Sequence, residues 1–392
     1  MNNSDFSSSR QLYQIVLERI KDAPQQRITF AEYMDLVLYH PDYGYYSSGV
    51  IKIGAEGDFF TSSSLGKDLG ELLAIQFVEM WQHLHCPSEF FLIEMGAGTG
   101  ILAADILAYI QKQEPDFSQA LKYIIIESSN SLKLKQQEIL KDFHQFNLSW
   151  SSLTEITQES ITGCFFSNEL VDAFPVHLVT LDGKKLQEIY LTEDCDQLTE
   201  ITAEISTPKL LEYLDLVKIN LLSSEYSPNY RTEINLPALD WLAKVASKLD
   251  RGYVLTIDYG YLAHKYYHPQ RSQGTLQCYY RHRRHANPYV NLGYQDLTTH
   301  VDFTALERHG ESCGLSKIGF TQQGMFLMAL GLGDRLNELS SGKYDLLQIL
   351  QRRDALHQLI DPTGLGGFGV LIQGKGLNDQ QKFLKGLTIP PL

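Results

Sequence analysis

The sequence predicts an α/β protein built on a Rossmann-like, doubly wound and mostly parallel sheet. N-terminal helices precede the sheet, and an inserted α/β subdomain interrupts it. Three observations predict this. Apolar strand candidates alternate with helical stretches, and one of them, "YIIIE", is apolar throughout, as strands covered on both faces are. The stretch "FLIEMGAGTGILAADIL" passes from an apolar strand through a glycine-rich turn into a helix. Between the third and fourth strands, "VHLVTLDGKKLQEIYL" switches to the period of two expected of short exposed strands.

Leu12, Ile15, Val16 and Ile20 recur at helical spacing, so an amphipathic helix covers 10–22. A second helix covers "TFAEYMDLVLYH", with Thr29 as its cap. Pro41, Gly44 and Gly49 make "PDYGYYSSG" a loop. The segment "GDFFTSSSLGKDLGELLAIQFVEMWQHL" begins with small polar residues and continues as a long helix to residue 84. Strands follow at 90–96, 122–128, 163–169 and 252–260, with a helix over "SLKLKQQEILKDF". A further strand lies in "SKIGFTQQGMFLMAL", and "FGVLIQGKG" supplies the last, at 368–374. The inserted subdomain opens on an Asp182-Gly183 hairpin signal, and "YSPNYRTEINLPALDWLAKVASKL" leads from loop into helix. Residues 261–300, crowded with tyrosine, arginine and histidine, read as an irregular insertion. The expected division is a helical segment and loop at 1–88, two core halves at 89–175 and 251–392, and the insertion at 176–250.

A chain of 392 residues, 43% hydrophobic, buries a sizeable core. Its net charge of −14 disfavours a nucleic-acid partner, which needs clustered cations. Five cysteines without a CxxC pair give no zinc or other metal signature and fit a reducing compartment. No apolar run approaches the roughly 18–20 residues of a membrane span. The start, "MNNSDFSSSRQLYQIVLERI", has no apolar signal core and holds an acid. The expected location is therefore cytoplasmic, of bacterial type, rather than a mitochondrial matrix.

Gly96, Gly98 and Gly100 follow a strand and precede the helical "ILAADILAYI". Glycine lets backbone approach a ligand and adopt dihedrals that a Cβ opposes. The helix start adds oriented N–H groups that favour an anionic or polar ligand. Two cofactor classes use such a turn. Gly98, Gly100 and Ala103 fit a dinucleotide fingerprint. Glu94-x-Gly96-x-Gly98-x-Gly100 fits the class I S-adenosylmethionine methyltransferases, where the acid meets the cofactor's ammonium group and the glycine backbone lies along its methionyl part. Glu127, ending the next strand, is placed to accept hydrogen bonds from ribose hydroxyls in either class.

The third strand separates the two. "CFFSNELVDAFPVHLV" ends in Asn168-Glu169, followed by Asp172. Strand ends of a doubly wound sheet line its ligand crevice, so Asn168 and Glu169 stand beside the reactive end of the cofactor. Hydride transfer has no evident use for this cluster, whereas a methyl acceptor that is cationic, or must lose a proton, does. Asp172 is equally read as a cap on the following turn. Asp258 and Tyr259 end the fourth strand and are expected to face the same crevice.

With these residues the chain resembles the MidA-like methyltransferases, the group that includes the mitochondrial complex I assembly-factor arginine methyltransferase. The likeness runs in order through "HPDYGYY", "GDFFTSSSLGKDLGELLA", "EMGAGTG", "NELVDAFPVH", "IDYGY", "GTLQCYYRHRRHANPYVNLGYQDLTTHVDF" and "VLIQGKG". Ser64-Leu65-Gly66 departs from a Pro-Glu-Ile-Ser-like run expected there. The resemblance implies a class I methyltransferase fold, S-adenosyl-L-methionine as cofactor, and a protein arginine side chain as acceptor. A small-molecule acceptor and a non-catalytic, cofactor-binding assembly factor are the alternatives. A homodimer is compatible with each.

The cofactor set read from the chain is Glu94, Gly96, Ala97, Gly98, Gly100, Glu127, Ser128 and Asp58. Glu169 is the main guanidinium carboxylate, with Asp172 or Asp58 as a second and Asn168 aligning the site. His300 and Asp302, in "TTHVDF", resemble the Thr-His turn lining the acceptor pocket of arginine methyltransferases, and a core or capping role is equally open. In "YYRHRRHANPY", Arg281, Arg283 and Arg284 interleave with His282 and His285. Its shortness and the chain's acidity argue against RNA stacking. A flap over the cofactor, a dock for an acidic partner and a solvated, ion-paired loop stay open.

Overall fold

The computed structural model describes residues 3–47, 65–183, 185–195, 197–281, 283–340, 342 and 345–389. Two compact units emerge, each assembled from three stretches of chain. One comprises residues 60–170, 242–259 and 310–392, and the other 1–59, 171–241 and 260–309.

The first unit holds a seven-stranded sheet of β1 (Phe90–Met95), β2 (Leu121–Ile126), β3 (Asn147–Ser151), β4 (Ile161–Asn168), β5 (Leu249–Asp258), β6 (Ser316–Gln322) and β7 (Gly369–Lys375). Their order is β6-β7-β5-β4-β1-β2-β3. All neighbours run parallel except β7, which is antiparallel to both β5 and β6. The direction of winding reverses between β1 and β4, and such a switch point leaves a crevice at the carboxyl ends of the strands.

Three helices of this unit matter for the site: α1 (Asp68–His83), α2 (Ile101–Gln113) and α3 (Asn130–Ile139). Leu69, Leu72 and Phe77 of α1 and Leu102, Ile106 and Ile110 of α2 share a core with Phe90, Leu92, Tyr123 and Phe166 from the strands. Each large apolar side chain so enclosed contributes about 1.5–3 kcal/mol. The predicted strands all form. β3, "NLSWS", was not expected: it is short, serine-rich and half-exposed at the sheet edge, so its burial leaves little apolar signal.

In the second unit the chain opens with helices Asn3–Asp22 and Phe30–Tyr39. Thr29 caps the latter reciprocally with Glu32, as its position predicts. Leu12, Val16, Ile20, Phe30, Tyr33 and Val37 from these helices pack with Leu178, Ile189 and Leu191. The last three belong to a five-stranded sheet of Ile28–Thr29, His177–Asp182, Lys185–Asp194, Gln197–Ala203 and Arg231–Ile234. The hairpin falls at Asp182-Gly183, where Gly183 takes the left-handed φ of 61°.

Two expectations need correction here. Arg231–Ile234, taken as loop, is a strand paired with His177–Asp182. The 261–300 insertion is not irregular throughout, since Arg283–His285, Gln277–Tyr280 and Asp296–Thr298 form an antiparallel sheet in that order. One buried carboxylate ties the two segments together. Glu233 accepts the backbone N–H groups of Thr275 and Leu276, at 2.8 and 3.0 Å, and the Thr275 hydroxyl at 3.0 Å. A Cβ on Gly274 would stand 2.1 Å from that carboxylate, so glycine is required there. Among the described residues, no helix is long and apolar enough to cross a membrane.

Candidate functional site

The glycine turn leaves β1 at the switch point. Gly96, Gly98 and Gly100 have φ of 72°, 54° and 89°, all left-handed, so each glycine is there for its backbone. A Cβ on Gly96 would also lie 2.7 Å from Leu170 Cδ1. The turn is therefore a cradle that side chains would fill. Ala97, within it, is nearly buried.

Glu94 sits at the end of β1, buried, and accepts the Tyr123 hydroxyl at 2.7 Å. Burial pushes its carboxyl up to about 7, against the pull of the Tyr123 hydrogen bond and with a further push from the charge of Glu127. Glu127 follows β2. Its Oε1 accepts the Ser129 N–H and its Oε2 the Gln136 side-chain amide, both at 2.9 Å. Burial raises its pKa, and hydrogen bonds from Ser129, Gln136 and the Ser128 backbone oppose the rise. Ser128 itself is exposed.

At the end of β4, Asn168 Nδ2 donates to Glu169 Oε1 at 3.2 Å. Glu169 has a φ of 53°, a left-handed conformation that costs a non-glycine residue about 1–3 kcal/mol and clusters at functional positions. It is held there from both sides. Its N–H donates to Ile257 O at 2.9 Å, and the next N–H, of Leu170, donates to Asp258 Oδ2 at 3.2 Å. Asp258 also accepts the Tyr259 N–H at 2.9 Å and is fully buried. It therefore braces the turn behind Glu169 rather than facing a crevice, and Tyr259 packs on Phe368.

The structure thus brings Glu94, Gly96, Ala97, Gly98, Gly100, Glu127, Ser128, Asn168 and Glu169 to the carboxyl ends of adjacent strands in one unit. Asp172 and His300 belong to the other unit. Asp172 lies in a short 3-10 turn, Val171–Ala173, and its carbonyl accepts the Thr299 N–H at 2.9 Å. The His300 ring stacks on Tyr261, 4.9 Å between centroids. Burial, with Arg271 and Arg284 nearby, lowers its pKa to about 4, so it is neutral near pH 7. Asp302 accepts the Thr304 and Ala305 N–H groups at 3.0 and 3.3 Å, which makes it a helix cap. Arg283 and Arg284 stand on the edge strand of the three-stranded sheet. Asp58 and the Ser64 departure lie outside the described residues, as does His282.

Sequence reasoning missed Tyr123, Gln136 and Trp150, whose polar atoms bond to Glu94, to Gly98 and Glu127, and to Gln136. Their types carry no motif. The only hint was the polar atom of Tyr123 within a segment of sheet character.

A sheet with this winding and its one antiparallel strand, bearing a glycine cradle flanked by Glu94 and Glu127, defines an α/β methyltransferase fold. The chain belongs to the MidA-like family of S-adenosyl-L-methionine-dependent methyltransferases, whose profile matches residues 72–321. A Drosophila melanogaster relative, the mitochondrial protein arginine methyltransferase NDUFAF7 homolog, is 29% identical over 368 residues, covering 86% of this chain and 79% of that one. The mitochondrial protein arginine methyltransferase NDUFAF7 of Xenopus tropicalis is 25% identical over 428 residues, covering 100% and 90%. A crystal structure from Burkholderia thailandensis bound to S-adenosyl-homocysteine superposes with a TM-score of 0.84 at 29% identity, covering 98% of this chain and 96% of that one. The cofactor is S-adenosyl-L-methionine.

Proposed function

We propose that the protein methylates arginine side chains of a protein substrate, in a cytoplasmic setting. The single observation that carries this reading is Glu169. It is a carboxylate held in a strained left-handed backbone, oriented by Asn168, one strand from the glycine cradle. The two relatives named as protein arginine methyltransferases support the substrate class.

The cofactor, when bound, supplies a methyl group on a positively charged sulfur. Gly96, Ala97, Gly98 and Gly100 would hold its methionyl part, Glu94 its ammonium group, and Glu127 with Ser128 its ribose. Glu169 would grip a guanidinium in fork geometry, fix its plane and keep one nitrogen turned toward attack. Such positioning has roughly 7–11 kcal/mol of barrier within its reach. A guanidinium that gained the methyl group, as the bond from that carbon to sulfur broke with its electron pair left on sulfur, would carry a second charge unless a proton left. Glu169 would offer its carboxylate to that proton. Asn168 keeps that carboxylate aligned.

The test is radiolabelled methyl transfer from S-adenosyl-L-methionine into a cell lysate, with protein and small-molecule fractions separated. Label recovered as methylarginine after acid hydrolysis of the protein supports the reading. Label confined to small molecules overturns it.

A further inference from the structure

The side-chain amide of Gln136 joins two parts of the cofactor site that arrive from different strands. Gln136 lies on α3 and is wholly buried. Its Nε2 donates to the Gly98 carbonyl at 2.8 Å and to Glu127 Oε2 at 2.9 Å. Its Oε1 accepts the Trp150 indole N–H at 2.8 Å. That last contact fixes which way the amide points. An indole nitrogen only donates, so the atom facing it is the oxygen, and both amide hydrogens face the turn and the acid.

The consequences for each neighbour are concrete. The Gly98 carbonyl is drawn inward toward α3. On Glu127, Ser129 and Gln136 hold opposite oxygens, Oε1 and Oε2, so the carboxylate is fixed from both sides. The approach of α3 depends on Gly100, because a Cβ there would stand 3.3 Å from both Cα and Cγ of Gln136.

We propose that Gln136, oriented by Trp150, is a positioning residue for S-adenosyl-L-methionine. It locks the glycine turn and the ribose carboxylate into a single rigid arrangement before the cofactor arrives. This rests on the reading of Glu127 and the glycine turn as cofactor contacts. Burial raises the Glu127 pKa, and the Gln136 amide is one of the hydrogen bonds that pull it back. Packing alone would be served by any side chain of this volume. The relay needs an amide.

The test is isothermal titration of the full chain with S-adenosyl-homocysteine from pH 5.5 to 8.5, using Gln136→Glu, Gln136→Met, Trp150→Phe and Glu127→Ala. Gln136→Glu keeps the length but sets a second carboxylate beside Glu127. Relative to the parent at the same pH, its affinity falls about tenfold at pH 8 and the gap closes toward pH 5.5, where the pair shares a proton. Gln136→Met weakens binding without that recovery. Trp150→Phe, which keeps an aromatic ring and loses the N–H, weakens it about fivefold. If Glu127→Ala weakens binding while Gln136→Glu and Trp150→Phe stay within twofold of the parent at every pH, the relay is wrong and the site assignment stands. If Glu127→Ala has no effect, both are overturned.

Discussion

The Tyr123 hydroxyl donates to the Glu94 carboxylate at 2.7 Å, inside the sheet and out of reach of water. A phenol from β2 thus holds the acid of β1 in place. Glutamate near 4.5 in the unfolded chain is raised to about 7 in the fold. Because the folded pKa is the higher one, the contribution of Glu94 to stability is full below pH 4.5 and is lost as pH rises through 7. Melting of the apo protein should therefore decline between pH 5 and 8 more steeply than melting of Glu94→Gln. Cofactor affinity should run the other way, strengthening from pH 6 to 8 as the carboxylate ionises to meet an ammonium group. Tyr123→Phe should shift that rise to higher pH. An affinity flat across this range in the parent protein would remove Glu94 from the ammonium site.

Glu169→Gln keeps shape and hydrogen bonding but removes the charge. Turnover should drop about a hundredfold or more, with S-adenosyl-homocysteine affinity changed less than twofold. Single-turnover methyl transfer beside calorimetry separates the two. Unchanged turnover in a cofactor-binding variant would show that this carboxylate does not meet the acceptor.

Gly96→Ala adds a Cβ at φ 72° and 2.7 Å from Leu170. The expected loss is about 1–3 kcal/mol, read as a lower melting temperature, together with weakened cofactor binding. Adding Leu170→Ala should relieve the clash but not the dihedral strain, and so should restore part of the stability. Gly98→Val should abolish binding altogether.

In the second unit, His177 Nδ1 lies 2.7 Å from Glu188 Oε1, and the Ser206 N–H donates to Glu188 as well. Burial alone would raise this carboxyl, but these hydrogen bonds hold it below its usual range. A depressed acid stabilises the fold above its unfolded pKa, about 4.5, and the contribution is lost as pH falls through its folded value. Glu188→Leu, which leaves His177 and the Ser206 N–H without their acceptor, should cost about 3 kcal/mol at pH 7. The deficit should shrink below pH 4. Denaturant titration across this range gives the answer, and an equal deficit at both ends would discount the pairing.

The glycine turn, Glu127 and the Asn168-Glu169 strand end were legible because each couples a local backbone requirement to chemistry within a few residues. Glu94, Gly96 and Gly98 announce themselves by spacing. Gln136 does not, since its three partners, Gly98, Glu127 and Trp150, come from three separate segments and meet only after folding. The Arg283–His285 strand was hidden because its cationic residues fit a flap, a dock or a solvated loop alike, whereas the signal of the sheet lies in Cys278, paired with His285, and Leu297 on the next strand, both buried. Asp258 misled for the opposite reason. Its place at a strand end suggested the crevice, but its carboxylate is fully buried and accepts the Leu170 and Tyr259 N–H groups.

β7 is inserted between β5 and β6 rather than appended at the rim. A polypeptide emerging from the ribosome therefore carries an open slot until Gly369 has been made, with β5 exposing one unpaired flank. A nonsense codon shortly before that point would not trim an ornament. It would release a product with two adhesive edges, suited to chaperone capture or to joining its own kind.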